Sequence, residues 1–76
     1  MLITRITVYR NDRPLSGASV SLEYNGIAQN GFTAKFTTNA DGVAYVEHTS
    51  TGRASVFING SKKGSVFTPG QEVYYL

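Results

Sequence analysis

The chain has 76 residues, no cysteine and a formal net charge of +2 from seven basic and five acidic side chains. That length predicts a single domain over residues 1–76 with a thin core, and the missing cysteines exclude disulfides and thiolate metal sites as braces. So small and scattered a charge argues against a nucleic-acid partner.

From Leu2 to Arg10 the chain alternates, with Ile6 and Val8 on one face and Arg5, Thr7 and Tyr9 on the other. That is the pattern of a half-buried strand, and Ile3 falls with the second set. Asn11–Pro14 reads as a turn, since proline fixes φ and withholds a ladder donor. Leu15 tucks beneath it before Ser16–Gly17 turns the chain again. The clearest strand follows: Ala18, Val20, Leu22 and Tyr24 share the core face, and Ser19, Ser21 and Glu23 the other. Asn25–Gly26 has type I′ turn composition, and Ile27–Thr33 is irregular, with Gly31 a bend and Phe32 an anchor.

Ala34 to Thr37 predicts a short strand with Ala34 and Phe36 on one face, and Val43 to His48 predicts another. Asp41–Gly42 between them is a hairpin signal: glycine supplies the positive φ and the Asp carboxylate accepts from nearby backbone. Thr49–Gly52 is a polar loop, after which Arg53 to Ile58 turns Ala54, Val56 and Ile58 inward and Ser55 and Phe57 outward. Asn59–Gly60 is a second hairpin signal, leading into Ser61–Phe67. Thr68–Gly70 turns, and Gln71 to Leu76 closes the chain with Val73 and Tyr75 sharing a face, Val73 taken as core. No helical spacing persists for ten residues. The expected fold is all-β, a six- or seven-stranded antiparallel β-sandwich of prealbumin or Ig-like kind.

Two segments, Arg13–Leu22 and Thr37–Val46, resemble the transthyretin-like or carboxypeptidase-regulatory-like group of β-sandwich domains, which bacterial Ig-like modules also approach. Leu15, Gly17, Ala18 and Val20 match the first element of that pattern, Asn39, Asp41, Gly42 and Ala44 the second, and Gly52, Ala54 and Val56 the last. The resemblance spans Thr4 to Ile58 and implies an accessory, adhesive or spacer module. The motifs of hormone-binding and hydrolytic members are not found here.

No catalytic residue is expected. His48 is the only histidine, and its neighbour Glu47 points to the opposite strand face, so His48 reads as a surface or strand-end residue. No metal or other cofactor is expected either: Asn39 and Asp41 offer oxygens, but the twelve-residue calcium loop and its bidentate Glu are missing. Gly60, Gly64 and Gly70 with Lys62–Lys63 lack the order of a phosphate loop. Asp41, Gly42, Asn59 and Gly60 are assigned to turn structure.

Tyr9, Tyr45 and Phe57 fall on outer faces, with Arg5, Arg10, Arg53 and Lys35 available to rim them. The readings are a protein-facing patch, a platform for single-stranded nucleic acid on a small barrel, or carbohydrate stacking. The first is favoured, because a thin core gains from association and the run Val73–Leu76 carries no charge to discourage edge pairing. The expectation is therefore a non-catalytic structural or protein-interaction module, a homo-oligomer or part of a larger assembly, with Tyr9, Tyr45, Phe57 and Tyr74 at the contact. Met1–Val8 lacks the features of a signal peptide, and no run approaches the roughly 20 apolar residues of a membrane span. A cytoplasmic protein, or part of an exported assembly, is expected, with no membrane contact.

Overall fold

The structure, a computed structural model, describes residues 1–25 and 30–76. The expectations for Gly26 and for Ile27 to Gln29 lie outside the described residues. Among those described there are nine strands and no helix: β1 (Leu2–Arg10), β2 (Arg13–Pro14), β3 (Ser19–Asn25), β4 (Asn30–Phe32), β5 (Phe36–Thr37), β6 (Val43–His48), β7 (Gly52–Ile58), β8 (Ser61–Thr68) and β9 (Gln71–Tyr75). They form two sheets, as the alternating pattern requires when each sheet has one apolar face to bury. In sheet A, β1 lies at the centre, paired with β6, β2 and β9. In sheet B, β3 and β7 lie at the centre, with β8 outside β7 and the short β4 and β5 both bonded to β3.

The core fills the space between the sheets. Ile6 and Val8 of β1 and Ala44 and Val46 of β6 meet Ala18, Val20, Leu22 and Tyr24 on the β3 side, and Ala54, Val56, Ile58 and Val66 on β7 and β8. Leu15, Phe36 and Tyr74 are partly buried against them. Each valine, leucine or isoleucine so buried contributes roughly 1.5–3 kcal/mol, against the large chain entropy that folding must overcome. Tyr24 belongs to this core as its strand parity requires, and Val66 joins it from β8, where glycine and lysine blur the alternation.

Two corrections concern topology. The Asp41–Gly42 turn is not a hairpin. Its arms lie in different sheets, β5 paired with β3 and β6 paired with β1, so the turn is an arch across the top of the sandwich. Local turn chemistry specifies the reversal but not the sheet that each arm joins. The side chain that braces it is also not Asp41: Asn39 Oδ1 accepts from the Asp41 N–H at 2.9 Å and the Val43 N–H at 3.1 Å. Gly42 has the expected positive φ of 76°.

The second correction is β9. After Thr68–Gly70 the chain crosses from sheet B to sheet A, and β9 joins β1 in parallel, in register from Arg5↔Gln71 to Tyr9↔Tyr75. The remaining pairings are antiparallel. This places Tyr74 inward and Val73 outward, so Val73 is not core, and it is 43% exposed. The other hairpin signal holds: Asn59 (φ 52°) and Gly60 (φ 84°) join β7 to β8 with the two positive φ values of a type I′ turn.

Candidate functional site

The register of sheet A places its outward side chains in rows. Glu47 lies beside Ile3; Tyr45 beside Arg5 and Gln71; Val43 beside Thr7 and Val73; and Pro14 beside Tyr9 and Tyr75. Tyr9 and Tyr75 stack with centroids 5.4 Å apart and planes within 15°. The Arg5 guanidinium donates to Gln71 Oε1. Ile3, Tyr45, Val73 and Tyr75 are all large and exposed. This face is aromatic and aliphatic, crossed by the single cation Arg5 and edged by Glu47.

Phe57 does not belong to it. On the outer face of sheet B, Phe57 meets Phe32 edge to face at 5.1 Å. The Arg53 guanidinium stands 5.6 Å over the ring of Phe67 on the same face. The structure therefore puts Tyr9 and Tyr45 on one sheet face without contact between them, stacks Tyr75 on Tyr9, and sets Phe57 on the far side of the sandwich. Sequence parity gave each ring an outer face; which sheet carried it depended on the arch.

Tyr74 points inward instead. Its hydroxyl donates to the Ser65 carbonyl on β8 at 3.1 Å, and its ring lies so close to Gly64 that a Cβ there would sit 2.9 Å from Cε1. Burial raises the Tyr74 pKa above the ordinary tyrosine value, and the nearby Glu72 carboxylate raises it further. The folded state then holds this proton more tightly than the unfolded chain does. Its contribution is full below the unfolded value near 10 and is lost as pH rises through the raised folded value. Urea melts across that alkaline range should show a shallower loss of stability for Tyr74→Phe than for the parent. Equal slopes would mean that ionisation of this ring does not oppose folding.

A buried polar cluster at one end of the sandwich went unread in the sequence. His48, expected as a surface or strand-end residue, ends β6 and is buried together with Thr4 and Thr68. Nδ1 of His48 lies 2.8 Å from the Ser50 carbonyl and so carries the ring proton, while Nε2 accepts from the Thr4 hydroxyl at 2.7 Å. The Gly70 N–H donates to the same Thr4 oxygen at 3.3 Å. Tyr24 donates to Thr68 Oγ1 at 2.7 Å, and the Thr68 hydroxyl donates on to the Gly52 carbonyl at 2.8 Å. The Tyr24 oxygen stands 3.3 Å from His48 Nδ1, closing the chain of bonds. The signal was strand parity: Thr4 continues Ile6 and Val8, His48 continues Ala44 and Val46, and Thr68 continues Val66.

A hydroxyl donating to a histidine has the outline of an activated nucleophile, but Thr4 has no solvent exposure for a substrate to use. The ring's other nitrogen is held by a backbone carbonyl where a triad has a carboxylate. The arrangement ties β1, β3, β6, β8 and the loop before β7 together, with no buried side-chain nitrogen or oxygen unpaired among the described residues. Nor do the described residues group three or more metal-ligating side chains of the His, Cys, Asp and Glu kinds. Among the described residues no helix is long and apolar enough to cross a membrane. A scan against protein-family models, a search of curated proteins and a search of solved structures each find no match.

Proposed function

We propose that this chain is a non-catalytic structural and protein-interaction module that associates with a second copy of itself through sheet A. The observation that carries this reading is the exposure of Ile3, Tyr45, Val73 and Tyr75 on three adjacent strands. One exposed aromatic is ordinary, but aromatic and aliphatic side chains on three strands of one sheet face form the kind of surface that partners bind. The likeness of Arg13–Leu22 and Thr37–Val46 to transthyretin-like and Ig-like accessory domains belongs to the same proposal, supported by the two packed sheets. A single-stranded nucleic-acid platform needs rings and cations on one face. The rings and cations expected for one such platform are divided instead: Tyr9 and Tyr45 share the outer face of sheet A with the single cation Arg5, and Phe57 lies with Arg53 and Phe67 across the sandwich.

Light scattering across a concentration series tests the reading. The parent should gain mass with concentration, and changing Val73 and Tyr75 to serine should weaken association by about tenfold or more, as loss of interface apolar side chains does. Phe57→Ser should leave it unchanged. A strictly monomeric parent at high micromolar concentration would refute self-association.

A further inference from the structure

We propose that the second copy joins edge to edge, through the free side of β9, antiparallel about a two-fold axis at Val73, so that sheet A runs unbroken through both chains. This rests on the self-association proposed above and names its contact. The first support is the direction of the backbone groups. The Arg5 N–H donates to the Gly70 carbonyl at 2.9 Å, and the Leu76 N–H donates to the Tyr9 carbonyl at 2.8 Å. In a parallel ladder successive residues face opposite edges. The N–H and C=O groups of Gln71, Val73 and Tyr75 therefore point away from β1, towards the open side of the sheet.

The second support is self-complementarity. A two-fold axis at Val73 sets Val73 against its own copy and Gln71 against Tyr75 of the second chain, so no like charges meet. The row Val43–Thr7–Val73 then continues into the same row of the partner. The one charged residue of β9, Glu72, lies at the other parity. Its carboxylate accepts from the Val73 N–H at 3.2 Å, a bond that an incoming carbonyl replaces.

Third, the alternative edges are less open. Lys62 and Lys63 lie on β8, and the Ser65 carbonyl on that strand already accepts from Tyr74. On the β6 side, the Val43 carbonyl accepts from the Asn39 N–H. β4 and β5 are strands of three and two residues. Strand β9 has no lysine, proline or bulge to deter pairing.

Cysteine cross-linking tests the geometry, because the chain has no cysteine of its own. In Val73→Cys the two thiols face each other across the axis, at the roughly 5.5 Å Cα spacing of a bonded antiparallel pair, which a disulfide spans. Mild oxidation should convert most of Val73→Cys to covalent dimer and leave Tyr45→Cys, on the same face but two strands from the axis, uncross-linked. Val73→Lys should shift the solution mass to monomer with the far-UV circular dichroism kept, since Val73 lies outside the core. If it unfolds, the cysteine pair decides alone. An oligomer that survives Val73→Lys, or that cross-links equally well through Tyr45→Cys, overturns the edge contact and leaves self-association standing. A monomer at every concentration overturns both.

Discussion

Gly42→Ala is expected to destabilise the fold by about 3 kcal/mol, combining left-handed strain with a disturbed hydrogen bond, whereas Gly60→Ala should cost only about 1 kcal/mol. Both glycines have positive φ, 76° and 84°. A Cβ on Gly60 meets nothing within 4 Å, so backbone strain is the whole penalty there. A Cβ on Gly42 would lie 2.6 Å from the Val8 carbonyl oxygen, 3.1 Å from the Leu15 nitrogen and 3.2 Å from the Pro14 Cα. All three are backbone atoms, which cannot rotate out of the way. The Gly42 carbonyl also accepts from the Val8 N–H at 2.7 Å, and the Val8 carbonyl accepts from the Leu15 N–H at 2.9 Å. Making room for a methyl group therefore pushes the arch off the central strand of sheet A at the point where β6 gives way to β2. For a domain this small the thermal midpoint should fall by roughly 10–20 °C. Equal losses for the two glycine variants would show that the arch is not pinned against Val8.

The second large effect is expected at His48. Removing the ring leaves the Thr4 hydroxyl without its acceptor, the Ser50 carbonyl with only the Tyr24 hydroxyl at 3.3 Å, and a void between the sheets. His48→Ala should cost about 2–4 kcal/mol, from a vacated cavity and orphaned polar groups. Glutamine retains an acceptor near the Nε2 position and fills part of the volume, so His48→Gln should recover about half of that loss. Denaturant melts of the two variants give the comparison. A surface histidine would show neither the loss nor the recovery. Any turnover abolished by His48→Gln with the fold intact would overturn the non-catalytic reading.

How far the sequence could be read depends on whether a feature is local. The alternation Ala18, Val20, Leu22 and Tyr24 places β3 against the core because a two-residue period leaves its side chains no other arrangement. Asn59–Gly60 reads correctly as a hairpin because both arms follow within a few residues and pair with each other. Asp41–Gly42 looks equally local, yet the partners of its arms are β3 and β1, and nothing in the turn encodes them. At β9 the pattern is ambiguous by composition: Val73, Tyr74 and Tyr75 are all apolar enough for either face, and only the close approach to Gly64 selects Tyr74 as the inward one. His48 shows the opposite case. Its parity was plain, but polarity suggested a surface or strand-end place, and two of the groups that satisfy it, Thr4 and Tyr24, come from strands distant in the chain, with only the Ser50 carbonyl nearby.

The parallel pairing of β1 and β9 has a mechanical consequence. Tension entering at the start of β1 and leaving at the end of β9 pulls these neighbouring strands in opposite directions along their common axis. The ladder from Arg5↔Gln71 to Tyr9↔Tyr75 is then loaded in shear, all of its bonds sharing the force, where a hairpin pulled from its open end would unzip one bond at a time. Strand β6, on the opposite edge of β1, adds a second ladder that must slide before β1 can leave the sheet. Thr4, held between His48 and the Gly70 N–H, sits where that force first arrives. Through these two ends the sandwich resists stretching much as a lap joint does, with its strength spread along the overlap.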